Sequence, residues 1–252
     1  MNVFAISLMG NSPPVATEFI DYVSRGNRLL GCILLSTFEP DVKESTLFAA
    51  HVLRHRFPHL SVRVLEVSIQ DVVSEDDMIL FMKTLALTIR EARRDRKQRH
   101  IYLNLAGGRK SMTIAGFMLA QMLAVEGVFH VINRDAGFNP KLERIRGIIS
   151  DLSSAGTSER REEVYIRHQK VIEEAMFPPH DEYCVLRFPT IPFPVDYLGE
   201  VMKILRSEHV PQANAGLSPQ DLERLIACGL VERGGGSRLV VTPLGRSISR
   251  LL

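Results

Sequence analysis

Several things are scarce in this sequence, and each scarcity removes a class of protein. Cysteine appears only three times in 252 residues, at Cys32, Cys184 and Cys228. That is an odd number without metal-ligand spacing, so neither a disulfide framework nor a cysteine-held metal is expected. An excess of one charge is missing too: 31 Lys and Arg face 29 Asp and Glu, a net of +2. This excludes coating of nucleic acid by a polybasic surface, although a local basic pocket fits inside a neutral total. No apolar run approaches the roughly 18 residues that span a bilayer. The start, Met1-Asn2-Val3-Phe4, has no basic n-region and reaches Pro13-Pro14 too soon for a signal peptide. Internal repeats and low-complexity tracts are absent. A cytoplasmic protein without membrane contact, metal or cofactor is expected.

What is present is ordinary globular material, 45% hydrophobic and 24% charged, long enough for one large or two small domains. Continuously apolar strands are expected at residues 3–8, 29–35, 62–67, 101–105, 128–133 and 144–149. Between them, amphipathic helices are expected from about 13, over 41–57, over 78–96 with Leu80, Phe81, Leu85 and Leu87 inside, and over 110–124. A stripe of Phe117, Met118 and Met122 on the last reads as core packing. The helix over 78–96 ends in basic residues, Arg93, Arg94, Arg96 and Lys97, which suit its dipole. Strand–helix alternation of this kind gives an α/β fold with a Rossmann-like, mostly parallel sheet covered on both faces.

Two loops carry the chemical interest. Met9-Gly10-Asn11-Ser12-Pro13-Pro14 follows the first strand, and Leu105-Ala106-Gly107-Gly108-Arg109-Lys110-Ser111-Met112 follows the fourth. Ligands of open parallel sheets bind beyond the carboxyl ends of strands, where helix N-termini aim N–H groups at anions. Arg109 and Lys110 bring cations to a helix start, an unfavourable place unless an anion sits there. A Walker loop is excluded because Asn104 and Arg109 stand where glycines are needed, and no Gly-x-Gly-x-x-Gly follows a strand. The plain alternative makes Gly107-Gly108 a tight strand–helix turn with Lys110 solvated.

These two loops, in this order and after these strands, resemble the CRISPR-associated Rossmann fold (CARF) domain, and are similar in particular to the stand-alone ring nucleases. The resemblance covers about residues 1–150, with the Pro-rich stretch from Leu186 to Pro194 also reminiscent. It implies a homodimer that binds cyclic oligoadenylate, most often cyclic tetra-adenylate, and cleaves it without metal. Ser12 and Lys110 match the catalytic positions; Met9, Gly10, Asn11, Thr17, Ala106, Gly107, Gly108, Arg109 and Met112 are the expected ligand-binding residues. The departure is Pro14, where the family loop is variable, which stiffens the helix start and leaves Ser12 in place. The implied chemistry is attack by a 2′-hydroxyl on its own adjacent phosphate, with Lys110 and the amides of Gly108 and Arg109 facing the phosphorane oxygens. Such cleavage would switch off type III CRISPR signalling.

After residue 150 the composition turns polar. Residues 151–184 read as a helical linker whose helix, about 160–176, bridges rather than joins a core. Arg161 and His168 have the loose spacing of HEPN ribonucleases, yet the remaining chain is too short for that helical bundle. Residues 185–252 read as a small winged-helix-like α+β domain: a strand at 185–188, helices over 195–207 and 218–229, a hairpin around Gly234-Gly235-Gly236-Ser237, and a last helix to Leu252. From Val195 on, seven basic side chains meet six acidic ones, Glu208 among them, and the helix opening at Ser218 carries Asp221 and Glu223 against Arg224. Phosphate neutralisation dominates DNA affinity, so a dimerisation or pocket-covering module is favoured over a DNA reader. The alternative is a CARF–winged-helix transcriptional regulator controlled by cyclic oligoadenylate.

Overall fold

The computed structural model describes residues 1–94, 100–135, 137–190, 194–207, 209–211, 216–236 and 238–250. Expected positions Arg96, Lys97, Pro192, Glu208, Ser237 and Leu252 lie outside these. The chain divides into two compact units, Met1–Ala120 with Val125–Thr190, and Gln121–Ala124 with Ile191–Leu252.

In the first unit, β1 (Asn2–Leu8), β2 (Arg28–Thr37), β3 (Ser61–Val67), β4 (His100–Asn104) and β5 (Gly127–Asn133) run parallel, and β6 (Tyr183–Phe188) closes one edge antiparallel to β5. The strand order is β3-β2-β1-β4-β5-β6. Crossovers are α1 (Pro14–Gly26), α2 (Pro40–Arg56), α3 (Glu75–Arg94) and α4 (Lys110–Met122). The order reverses between β1 and β4, and there the loops leaving the two strands open a crevice.

Both faces of the central strands are covered, so β1, β2 and β4 are largely buried, whereas the edge strand β3 exposes Arg63. Val3 and Ala5 of β1 face one core, shared with Phe19 and Ile20 of α1, Phe48 and Val52 of α2 and Phe129 of β5. The alternate residues Phe4, Ile6 and Leu8 are also buried, as period-two alternation in a doubly covered sheet requires. Local chemistry starts the helices. The Glu39 carboxylate accepts from the Val42 amide at 2.8 Å ahead of α2, with Pro40 at the first position.

Three expectations are corrected. Residues 144–149 are not a strand: they lie in α5 (Phe138–Ser154), where Ile145, Ile148, Ile149 and Leu152 are buried. Spacings of three, four and seven residues mark one helix face, and they outweigh the local β-branched run. The segment 151–184 is no bridge, because α6 (Ser158–Met176) buries Tyr165, Ile172, Ala175 and Met176 in the core. Most of its charged side chains are exposed. The boundary at 184/185 also moves, since β6 belongs to the large sheet and pairs Tyr183 with Asn133 through Phe188 with Val128.

The apolar stripes of α3 and α4 are corrected as well. Helix α3 buries Phe81, Leu85 and Ile89 but leaves Leu80 and Leu87 exposed; α4 seats Met112, Ala115 and Leu119 and leaves Met118 and Ile114 exposed. Phe117 is half-buried, edge-on to Phe188 at 5.9 Å. A helix apolar all round does not tell the reader which side it buries.

The second unit holds α7 (Val195–Leu205), β7 (His209–Pro211), α8 (Pro219–Ala227), β8 (Val231–Gly234), β9 (Arg238–Val241) and α9 (Pro243–Ser249). Its three strands form an antiparallel sheet in the order β7-β9-β8. Val201, Ile204, Leu205, Leu222, Leu225, Val231, Leu239 and Val241 make its core. Ser218 and Thr242 cap α8 and α9 by accepting from the amides of Asp221 and Gly245, both at 3.1 Å. Strand β7 is an addition.

Candidate functional site

The loops after β1 and β4 meet at the reversal of strand order, fused more tightly than sequence alone implies. A Cβ on Gly10 would overlap the Gly107 carbonyl oxygen, and one on Gly107 would overlap the Leu8 carbonyl. Both glycines are therefore required by backbone-to-backbone approach. Asn104, fully buried at the end of β4, holds the junction. Its amide nitrogen donates to Ser7 Oγ at 3.0 Å and to the Val15 carbonyl at 3.3 Å, and its carbonyl oxygen accepts from the Ala106 amide at 3.1 Å.

Seven of the expected residues line one cleft of about 170 Å³: Met9, Gly10, Asn11, Gly107, Gly108, Arg109 and Met112, joined by Thr37 and Val42. Lys110 borders an open depression with Asp71 and Ser111, sharing Gly108 and Arg109 with the cleft. On the other side Asn11 is shared with a third hollow, which Asp41, Glu44, Ser45 and Arg146 make polar. Through these shared residues the three adjoin one another as a groove beside the loops that follow β1 and β4.

The two cations at the start of α4 are unlike. Arg109 is ion-paired with Asp71, at 2.7 Å, from the segment between β3 and α3. Lys110 is exposed, and among the described residues no carboxylate pairs with it. Helix α4 has no acidic residue in its first turn, so its amino end meets Lys110 with no acidic side chain of its own to offset either charge. The Gly108 amide donates to the Leu105 carbonyl at 3.2 Å, which removes it from the expected anion-facing pair. The Thr113 amide donates to the Arg109 carbonyl at 2.9 Å, so the amides before it belong to the unbonded first turn of the helix.

The first loop behaves differently. Helix α1 opens on Pro13 and Pro14, which have no N–H, and the amides of Val15 and Ala16 already donate to the carbonyls of Ser12 and Pro13. Its end supplies no ready amide to an anion. Ser12 Oγ is buried without a hydrogen-bond partner among the described residues, an uncompensated polar atom one residue from the groove-lining Asn11. Thr17 is not brought to the groove. It is fully buried and donates its hydroxyl to the carbonyls of Pro14, at 3.0 Å, and Met176, tying α1 to the end of α6. Ala106 packs against the core.

Sequence reasoning missed Asn104 as the clamp, Asp71 as the counter-ion, and Thr37 and Val42 as cleft walls. Asn104 had a signal, a polar side chain ending a buried strand. Asp71 had none, being brought in by a chain crossing. Glu18 is also unforeseen: burial pushes its carboxyl up to about 7, Asn133 Nδ2 donates to it at 3.3 Å, and it lies outside the groove lining.

Residues 12–210 match the family of the CRISPR-associated protein NE0113. The chain belongs to this family. It is a CRISPR-associated protein of the CARF type, consistent with the two-loop crevice of its first unit. Within the family setting, 146 residues are 25% identical to the CRISPR system ring nuclease SSO2081 of Saccharolobus solfataricus, spanning 56% of this chain and 77% of that protein. A solved structure of Csm6 from Enterococcus italicus, bound to cyclic hexa-2′-fluoro-hexa-dAMP, is also similar, with a TM-score of 0.49 at 10% identity. That similarity covers 81% of this chain and 46% of the Csm6 chain.

Proposed function

We propose that this protein is a ring nuclease that binds cyclic tetra-adenylate across a homodimer and cleaves it without metal, switching off type III CRISPR signalling in the cytoplasm. The observation that carries this reading is the fusion of the Gly10 and Gly107 loops into one cleft beside Lys110, which has no carboxylate partner among the described residues, at the amino end of α4. The relative named as a ring nuclease supports it.

In this reaction the 2′-oxygen attacks the adjacent phosphorus and the 5′-oxygen of the next nucleotide leaves. The proton lost by the 2′-hydroxyl is matched by one gained at the 5′-oxygen. The products carry a 2′,3′-cyclic phosphate and a 5′-hydroxyl, and no water is consumed. The protein's task is to hold the three reacting atoms in line and to stabilise charge growing on the phosphorane oxygens. Lys110 supplies a point charge, and the amides of Arg109 and the first turn of α4 supply oriented donors. Ser12, with its uncommitted hydroxyl, orients the attacking 2′-hydroxyl or the phosphate. The exposed apolar side chains Leu87, Ile114 and Met118 on α3 and α4 suit the face to a second copy.

DNA reading by the second unit finds less support. Arg224 is paired with Asp221 at 3.1 Å and Arg233 with Glu223, so two of its cations are already neutralised within the unit. Purified protein incubated with labelled cyclic tetra-adenylate in EDTA tests the assignment. Linear products ending in a cyclic phosphate are expected. Tight binding without conversion, together with a gel shift on promoter DNA, would replace it with the regulator.

A further inference from the structure

Away from the groove, α2 and α6 bring together two imidazoles and a carboxylate. His51 and His55 are four residues apart on α2 and so share one helix face; Glu162 reaches them from α6. One ligand atom from each lies within 4.8 Å of the others. Glu162 Oε2 is 2.7 Å from His55 Nε2 and 4.0 Å from His51 Nε2. These separations bracket roughly 3.4 Å, the edge of a tetrahedron with metal–ligand bonds of about 2.1 Å. Small side-chain rotations would reach it.

We propose that His51, His55 and Glu162 form a binding site for a divalent cation of the zinc class that staples α6 to α2. Two arguments support it. First, His51 Nε2 is buried without a hydrogen-bond partner among the described residues, and a buried polar atom left unpaired needs a reason; a metal would supply it. Second, two histidines with one glutamate is a donor set that zinc accepts, leaving a fourth position. His55 and Glu162, with side chains 30% and 43% exposed, leave that position open to solvent. Tyr165 stacks on His55 at 4.1 Å and fixes its ring plane. Arg54 and Arg161 act against a cation here, and the Arg161 Nε is committed to the Ala155 carbonyl at 3.1 Å.

None of the three residues lines the groove, so this site is independent of ring cleavage and is read by binding. The full chain, stripped with chelator and dialysed, is titrated with zinc chloride by calorimetry. One equivalent is expected to bind, with a rise in Tm as zinc is added. Cobalt in its place is expected to give the intense visible absorption of a four-coordinate site. His51→Ala and Glu162→Gln are each expected to weaken binding at least tenfold. His59→Ala, at an exposed position outside α2, is expected to leave it unchanged. Should His51→Ala misfold, the exposed His55→Gln makes the same test. Absence of saturable binding, or binding that survives both Glu162→Gln and His55→Gln, would overturn the proposal.

Discussion

Single residues decide whether the crevice exists. Asn104 makes three hydrogen bonds that tie the end of β4 to Ser7 of β1, to Val15 of α1 and to its own loop. Asn104→Ala is expected to cost about 1–3 kcal/mol, the usual penalty for stranding buried polar groups, as a lower midpoint in urea unfolding. Glu18 sets a pH dependence. Desolvation raises its carboxyl from 4.5 to about 7, Glu182 adds to this, and the Asn133 amide opposes it. The folded chain keeps a proton that the unfolded chain releases between those values. Its contribution to stability is therefore greatest below about pH 4.5 and is lost as pH rises through about 7. The loss is on the order of 3 kcal/mol. Glu18→Gln is expected to flatten this slope and to be more stable than the parent at pH 8; thermal melts at pH 5 and pH 8 make the comparison. At this scale the sequence was informative about Gly107, Gly108 and Lys110, because a cation at a helix start breaks a local rule. Asp71 was hidden, because its approach to Arg109 depends on tertiary structure.

Elements show where a linear reading succeeds and where it fails. Strands β1 to β5 were legible since strands buried on both faces are rich in apolar residues. Helix α5 was misread as a strand because residues 144–149 hold three β-branched side chains, Ile145, Ile148 and Ile149; the longer window with Leu152 restores the helical period. Helix α6 was misread as solvated because its charges outnumber the side chains it buries. The core role of α6 is tested by Ile172→Ala, expected to cost about 2–5 kcal/mol as for other buried large-to-small changes, measured by chemical denaturation. A linker helix would lose nothing. Gly107→Ala tests the fusion of the two loops. The added methyl must displace the Leu8 backbone, so affinity for cyclic tetra-adenylate is expected to fall at least tenfold in a chain that still unfolds cooperatively.

For the whole molecule, the near-neutral charge balance includes cations that are already paired: Arg109, Arg224 and Arg233 each have a carboxylate partner, whereas none pairs with Lys110 among the described residues. A small anionic ring fits such a surface better than a DNA duplex, which needs many uncommitted cations at once. The two loops and their order after β1 and β4 were readable beforehand, as was the helix–hairpin–helix pattern of the second unit. The unit boundary was not, since β6 joins the large sheet through a pairing 50 residues from β5 in sequence. The dimer is tested by sedimentation: the parent is expected to run as a dimer at micromolar concentration and Ile114→Asp as a monomer. The central claim is that Lys110 acts on the phosphate of a ring held between the two glycine loops. Its most direct test is single-turnover cleavage of cyclic tetra-adenylate by Lys110→Ala, with ring affinity measured alongside. The cleavage rate is expected to fall by about 100- to 1,000-fold, as when an oriented charge-stabilising donor is removed, while affinity falls by less than tenfold; an unchanged rate would contradict the account.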